Sequence, residues 1–270
     1  MMKRWLIAMS LAAGLATEAG LTPTYLPYKQ GETVLGGELF RHDTAMVNRG
    51  GIVIFHQWTG ISDHERQVAR KLAAYGFVVL CADVYGEGVR PATPDACKVE
   101  VTKYKSDRAL LRARTQAAVE SLRTAVQLGD KPVVAIGYCF GGTAALELAR
   151  AGSDIKAAVS FHGGLDAPQP AAAGAVKARV LALHGADDPY VPAAEVQGFE
   201  REMKSAGVNY RLISYPGAVH SFTLTSAGSN KASGAAYQAE ADQASWSELQ
   251  KVLNEVAPRP TPVAAGAVTK

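Results

Sequence analysis

The stretch Val133-Val134-Ala135-Ile136-Gly137-Tyr138-Cys139-Phe140-Gly141-Gly142-Thr143-Ala144-Ala145-Leu146-Glu147 decides the fold. Its first part, Val133 to Ile136 with Pro132 just before it, is apolar and β-branched, the composition of a buried strand. Its last part, from Thr143, reads as a helix that continues to Arg150. Between them lies G-x-C-x-G, a strand-to-helix turn of the kind that lifts one side chain to the top of a sheet, with sulfur where a serine oxygen usually stands. The flanking glycines allow a sharp turn and a close strand–helix approach. Cys139 would then sit at a helix N-terminus, where backbone N–H groups favour a thiolate. So short a motif does not distinguish a nucleophile from a small buried hydrophobe. Its partners have to decide.

Outward from this turn, strands alternate with helices. Ile52–Phe55, Phe77–Ala82, Lys156–Phe161, Val180–Leu183 and Tyr210–Tyr215 are apolar runs with strand character, and Glu32–Phe40 suits a further strand. Ser62-Asp63-His64-Glu65 carries a capping box and starts a helix. Ser106-Asp107 leads into a long helix to about Leu128, whose Arg108, Arg112, Arg114 and Arg123 read as a solvated face. Ala193–Gly207 and Tyr237–Val256 complete the helices. Glu87–Lys105, with Pro91 and Pro94, reads as a long turn-rich connection of the kind that forms a lid or binding loop. The pattern predicts an α/β protein: a mostly parallel central sheet with helices on both faces, its ligand at the C-terminal ends of the strands.

The chain has 270 residues, 48% of them hydrophobic, enough for one large domain. Its net charge of +3 is small and its charges are interspersed, so nucleic acid is not an expected partner. Beyond the N-terminus no apolar run reaches the roughly 20 residues of a membrane span. Met1-Met2-Lys3-Arg4 followed by the apolar Trp5–Ala16 has the form of a signal peptide. The expected organisation is a signal over 1–19, a single domain over 20–257 and a disordered tail over 258–270. The expected location is therefore periplasmic or secreted, without a stable membrane anchor, and the chain is expected to be a monomer. With Cys139 a working thiol, Cys81 and Cys97 remain, and an oxidising compartment leaves a disulfide between them open. The histidines show no H-x-x-x-H or H-E-x-x-H spacing and there is no C-x-x-C pair, so neither metal nor cofactor is expected.

A thiol nucleophile needs a base, and the base an orienter. In the hydrolytic version of such a sheet the chain order is nucleophile, acid, histidine. Here Cys139 is followed by the aspartates of Gly185-Ala186-Asp187-Asp188-Pro189 and then by His220 in Gly217-Ala218-Val219-His220-Ser221-Phe222. Each falls just after a strand. His220 could take the thiol proton on one ring nitrogen while an aspartate holds the other.

With these parts in order, the chain resembles the dienelactone hydrolase family of the α/β-hydrolase fold, and its exported branch most. The matching stretches are Ile136–Gly142, Val159-Ser160-Phe161-His162-Gly163, Leu183–Pro192 and Val219–Phe222, with Gly60–Gly76 and Ala82–Gly86 beside them. Coverage runs from about Thr33 to Val256. The resemblance implies a carboxylic ester or lactone hydrolase working through an acyl-thioester, with Asp188 rather than Asp187 as the acid. It also implies an oxyanion hole made by the N–H groups of Phe140 and Trp58, and places Tyr85 and Phe222 as side chains that meet the small-molecule substrate.

The chain departs from the family at two places. Gln57 stands where the family has a glutamate that helps to activate the thiol, and an amide cannot accept a proton. The stretch after His220 lacks the family's carboxylate-binding arginine. Arg90, Lys98, Lys103, Lys105 and Arg108 are candidates for its partner in the long connection. His56 reads as a structural residue or as one that supports the site from behind. These departures keep an alternative open: a non-catalytic ligand-binding or redox-sensing protein on a hydrolase scaffold.

Overall fold

A computed structural model describes residues 21–42 and 48–259. The proposed signal, most of the tail and 43–47 lie outside the described residues. An eight-stranded sheet forms the centre, ordered β1-β2-β4-β3-β5-β6-β7-β8. These are β1 Thr24–Gln30, β2 Thr33–Phe40, β3 Gly51–Phe55, β4 Val78–Ala82, β5 Val133–Tyr138, β6 Ala157–Phe161, β7 Arg179–Gly185 and β8 Tyr210–Tyr215. From β4 to β8 every pairing is parallel, while β1–β2 and β2–β4 are antiparallel.

The helices are α1 Asp63–Ala74, α2 Pro94–Ser106, α3 Arg108–Ala125, α4 Phe140–Arg150, α5 Ala193–Ser205 and α6 Ala239–Val256. Strand β5 shows how one sequence feeds two cores. Val133 and Ala135 face a layer filled by α3, α4 and α5, through residues such as Leu111, Leu122, Leu148 and Phe199. Val134, Ile136 and Tyr138 face the opposite layer, filled by α1 and α6 through Leu72, Leu249 and Val252. A strand covered on both faces has no polar side to present, and β5 accordingly reads as one apolar run.

Two expectations are corrected and one open point is decided. The segment 94–106 is a helix: Pro94 occupies its first turn, where a missing N–H is harmless, and the Thr93 hydroxyl accepts from the Ala96 N–H at 3.3 Å. Asp107 ends this helix and caps α3, accepting from the Leu110 N–H at 2.9 Å. The arginines of α3 are not a uniform solvated face, since Arg108 and Arg114 are buried and Arg112 pairs with the buried Glu147. Cys81, in β4, and Cys97, in α2, are both buried and free, so the disulfide left open by the sequence is not formed. Strand β1 was not anticipated; it lies at the sheet edge, where its Pro27 is tolerated.

Candidate active site

β5 ends at Tyr138 and α4 begins at Phe140, so Cys139 makes the turn between them. Its backbone lies at φ 55° and ψ −119°, a conformation that L-residues rarely adopt. Two glycines make room for it. A Cβ on Gly137 would fall 1.8 Å from the Gly141 carbonyl oxygen, and one on Gly141 2.0 Å from that of Phe55.

Asp188 follows β7 and His220 follows β8, so parallel register brings both to the same sheet end as Cys139. His220 Nδ1 donates to Asp188 Oδ2 at 2.8 Å. The other Asp188 oxygen accepts the Tyr190 N–H at 2.8 Å. This leaves His220 Nε2 for the Cys139 thiol, with which the imidazole is hydrogen-bonded. Burial works against a charged Cys139. The charge and hydrogen bond of His220, with the N–H groups of Phe140 and Trp58, outweigh it and bring the thiol below its usual range. Burial also opposes a charged His220, but Cys139 and Asp188 outweigh it and lift the imidazole to about 10. The two shifts are coupled, each group favouring the charged form of the other.

The sulfur opens on a cavity of about 490 Å³, walled largely by apolar groups including Val101, Phe140, Val191 and Leu224. Trp58 and Tyr190, at 41% and 60% exposure, also line it. Of the basic candidates in 87–108, Lys105 reaches the cavity, and its Nζ lies 3.5 Å from Asp166 Oδ1. The others are used elsewhere or do not line it: Arg108, for example, is buried against Asp166 at 2.5 Å.

Two expected substrate contacts lie behind the wall instead. Tyr85 is buried, stacks on Phe140 with ring centroids 5.6 Å apart, and donates its hydroxyl to the Trp58 carbonyl at 2.9 Å. Phe222 is fully buried and packs edge-on against His162. Both are aromatic residues in loops after strands, and sequence order does not tell which way such a ring turns. Among the described residues no cluster of His, Cys, Asp and Glu is placed to hold a metal ion.

With this geometry in hand, the model of the dienelactone hydrolase family matches residues 36–257. The chain belongs to the dienelactone hydrolase family. The solved structure designated m3DLH is 34% identical, with a TM-score of 0.83, over 88% of this chain and 99% of its own. A dienelactone hydrolase-like promiscuous phosphotriesterase, P91, from metagenomic libraries is 36% identical, with a TM-score of 0.82, over 87% of this chain and 98% of its own. A Synechocystis protein provisionally named carboxymethylenebutenolidase is 24% identical, over 75% of this chain and 84% of its own. As a member of the dienelactone hydrolase family, the protein is a carboxylic ester or lactone hydrolase.

In this member of the family, the loop after β3 carries a feature that the sequence did not announce. Gln57 lines the cavity and is buried, and its amide nitrogen donates to Glu65 Oε1 at 3.3 Å. The Gln57 backbone N–H donates to the same oxygen at 3.3 Å. Glu65 Oε2 accepts the Ser62 N–H at 2.8 Å and its hydroxyl at 2.6 Å, closing the capping box. A buried carboxylate is therefore present, but on α1, where it holds the loop that carries the Trp58 N–H. The capping box was legible as S-x-x-E; its second use was not, because it depends on a loop that folds back eight residues away. His56 is buried, with Nδ1 donating to the Gln57 carbonyl at 2.6 Å and Nε2 accepting the Val84 N–H at 3.1 Å.

Proposed function

We propose that this protein hydrolyses an uncharged carboxylic ester or lactone through an acyl-thioester on Cys139, with His220 and Asp188 completing the triad. The thiolate attacks the carbonyl carbon. The developing oxyanion is received by the N–H groups of Phe140 and Trp58, worth on the order of 3 kcal/mol of barrier per donor. The His220 imidazolium gives its proton to the leaving alcohol oxygen, and the thioester remains. His220, now neutral, takes a proton from water; hydroxide attacks the thioester, and the carboxylic acid departs as sulfur is released. Asp188 keeps the proton-bearing Nδ1 fixed throughout and supports the transient charge.

One observation carries this reading: His220 is bound to Asp188 at 2.8 Å and hydrogen-bonded to a thiol held below its usual range. The preference for an uncharged substrate is supported by the apolar wall and by the pairing of Lys105 with Asp166. Gln57, tied to Glu65, then serves the wall and the oxyanion loop, and thiol activation rests on His220 and the N-terminus of α4.

A panel of aryl esters and lactones tests the proposal, with an aryl phosphotriester included because of the relative P91. Turnover of neutral esters, absent in Cys139→Ala, is expected; full activity in that variant would contradict it. We also propose that the chain works as a monomer outside the cytoplasm. N-terminal sequencing of protein recovered from a periplasmic fraction is expected to begin near Gly20, and recovery of uncleaved cytoplasmic protein contradicts export.

A further inference from the structure

His162 is fully buried, directly follows β6, and has no part in the proton transfers described above. Its backbone takes φ 41°, so it too sits in a turn that L-residues avoid. Its Nδ1 accepts the backbone N–H of Cys139 at 3.2 Å, a hydrogen that also points to the Phe161 carbonyl at 3.0 Å. A ring nitrogen that accepts must be unprotonated, so the imidazole proton lies on Nε2. That nitrogen is 2.9 Å from the hydroxyl oxygen of Thr223, which therefore accepts. The ring stands edge-on to His220, with centroids 5.3 Å apart, and edge-on to Phe222 at 5.2 Å.

These contacts join two pieces of chain that the reaction needs in register. Cys139 belongs to the turn before α4. Thr223 lies three residues beyond His220, in the loop that carries the base. We infer that His162 and Thr223 form a positioning bridge, in which Thr223 fixes the imidazole tautomer and His162 thereby holds the strained Cys139 backbone against the His220 loop. The inference rests on the Cys139–His220 chemistry proposed above, and assigns to His162 no contact with substrate.

The physical reason for two residues is tautomer choice. Without an acceptor at Thr223, the Nε2–H is a buried donor without a partner. The alternative tautomer would satisfy nothing better, because its Nδ1–H would face the Cys139 N–H. Either outcome loosens the nucleophile's turn, where an error of about 1 Å lowers rates on the order of a hundredfold.

Thr223→Val and Thr223→Ser test the bridge, since both keep the loop's size. The rate of Cys139 alkylation by iodoacetamide at neutral pH is read for each. Beside it stand kcat and KM for an aryl ester that the wild-type protein turns over. Thr223→Val is expected to lose about tenfold in alkylation rate and in kcat with KM within twofold, and Thr223→Ser to recover most of both. His162→Asn, which suits a positive φ and offers an oxygen near the Nδ1 position, is expected to retain more alkylation rate than His162→Leu. Equal alkylation rates in wild type, Thr223→Val and Thr223→Ser would overturn the inference. Alkylation needs no turnover, so a wild-type protein that hydrolyses no ester refutes the proposed reaction, while the alkylation series still decides the bridge.

Discussion

Cys139 is held between opposing influences: burial disfavours its anion, and His220 with two backbone N–H groups favours it. The balance makes a definite pH prediction. A thiol lowered from its usual 9.0 stays reactive below that pH, and loses reactivity as pH falls through its folded value. In His220→Ala burial remains without its main counterweight, so the pH midpoint of iodoacetamide alkylation is expected to move upward. An unmoved midpoint would show that His220 does not set the thiolate. At the upper end, alkylation is expected to lose the support of His220 as the imidazole, lifted to about 10 by Cys139 and Asp188, gives up its proton. The co-location of Cys139, Asp188 and His220 was legible in the sequence because each is tied to a strand end. The tasks of His162 and Glu65 were not, since both act through hydrogen bonds to backbone groups whose position only the folded chain supplies.

At the scale of elements, the turn between β5 and α4 depends on the absence of two side chains. In Gly141→Ala the new Cβ would meet the Phe55 carbonyl, which is backbone of a buried strand and cannot swing aside. We expect a loss of about 3 kcal/mol or failure to fold, measured by urea denaturation. Thr93→Ala, at the start of α2, is expected to cost only about 1 kcal/mol by removing a cap. The strand–turn–helix was legible because glycine spacing and an apolar run agree. By contrast, α2 was obscured because its first-turn Pro94 looks like a breaker, and its buried residues are few, Cys97 and Tyr104 among them. Strand β1 was obscured because an exposed edge strand carrying Pro27 has little apolar pattern to read.

Across the whole molecule, charges buried far from the thiol join elements that the sequence keeps apart. Arg150, at the end of α4, binds Glu202 of α5 through two hydrogen bonds of 2.8 and 2.9 Å. It also binds Glu147 at 3.0 Å and the carbonyl of Leu165 at 3.0 Å. The Leu165 and Asp166 N–H groups are in turn bound by Glu195 of α5. This network fixes the segment after β6 that supplies Gly164 to the cavity wall. Arg150→Met would leave two carboxylates buried with fewer partners, and a loss of about 3–5 kcal/mol is expected. For a domain of this size that lowers Tm by roughly 10 °C in a thermal melt. Helical periodicity made the α3 arginines look solvated because it describes only their own helix, not Glu147 or Asp166 arriving from elsewhere.

The central claim, that Cys139 carries the acyl group, is tested most directly by peptide mass mapping of protein quenched during turnover of an aryl ester. The account predicts an acyl adduct on the peptide containing Cys139, labile to hydroxylamine and absent in Cys139→Ala. Turnover with no adduct at Cys139, or an adduct on another residue that persists in Cys139→Ala, would contradict it.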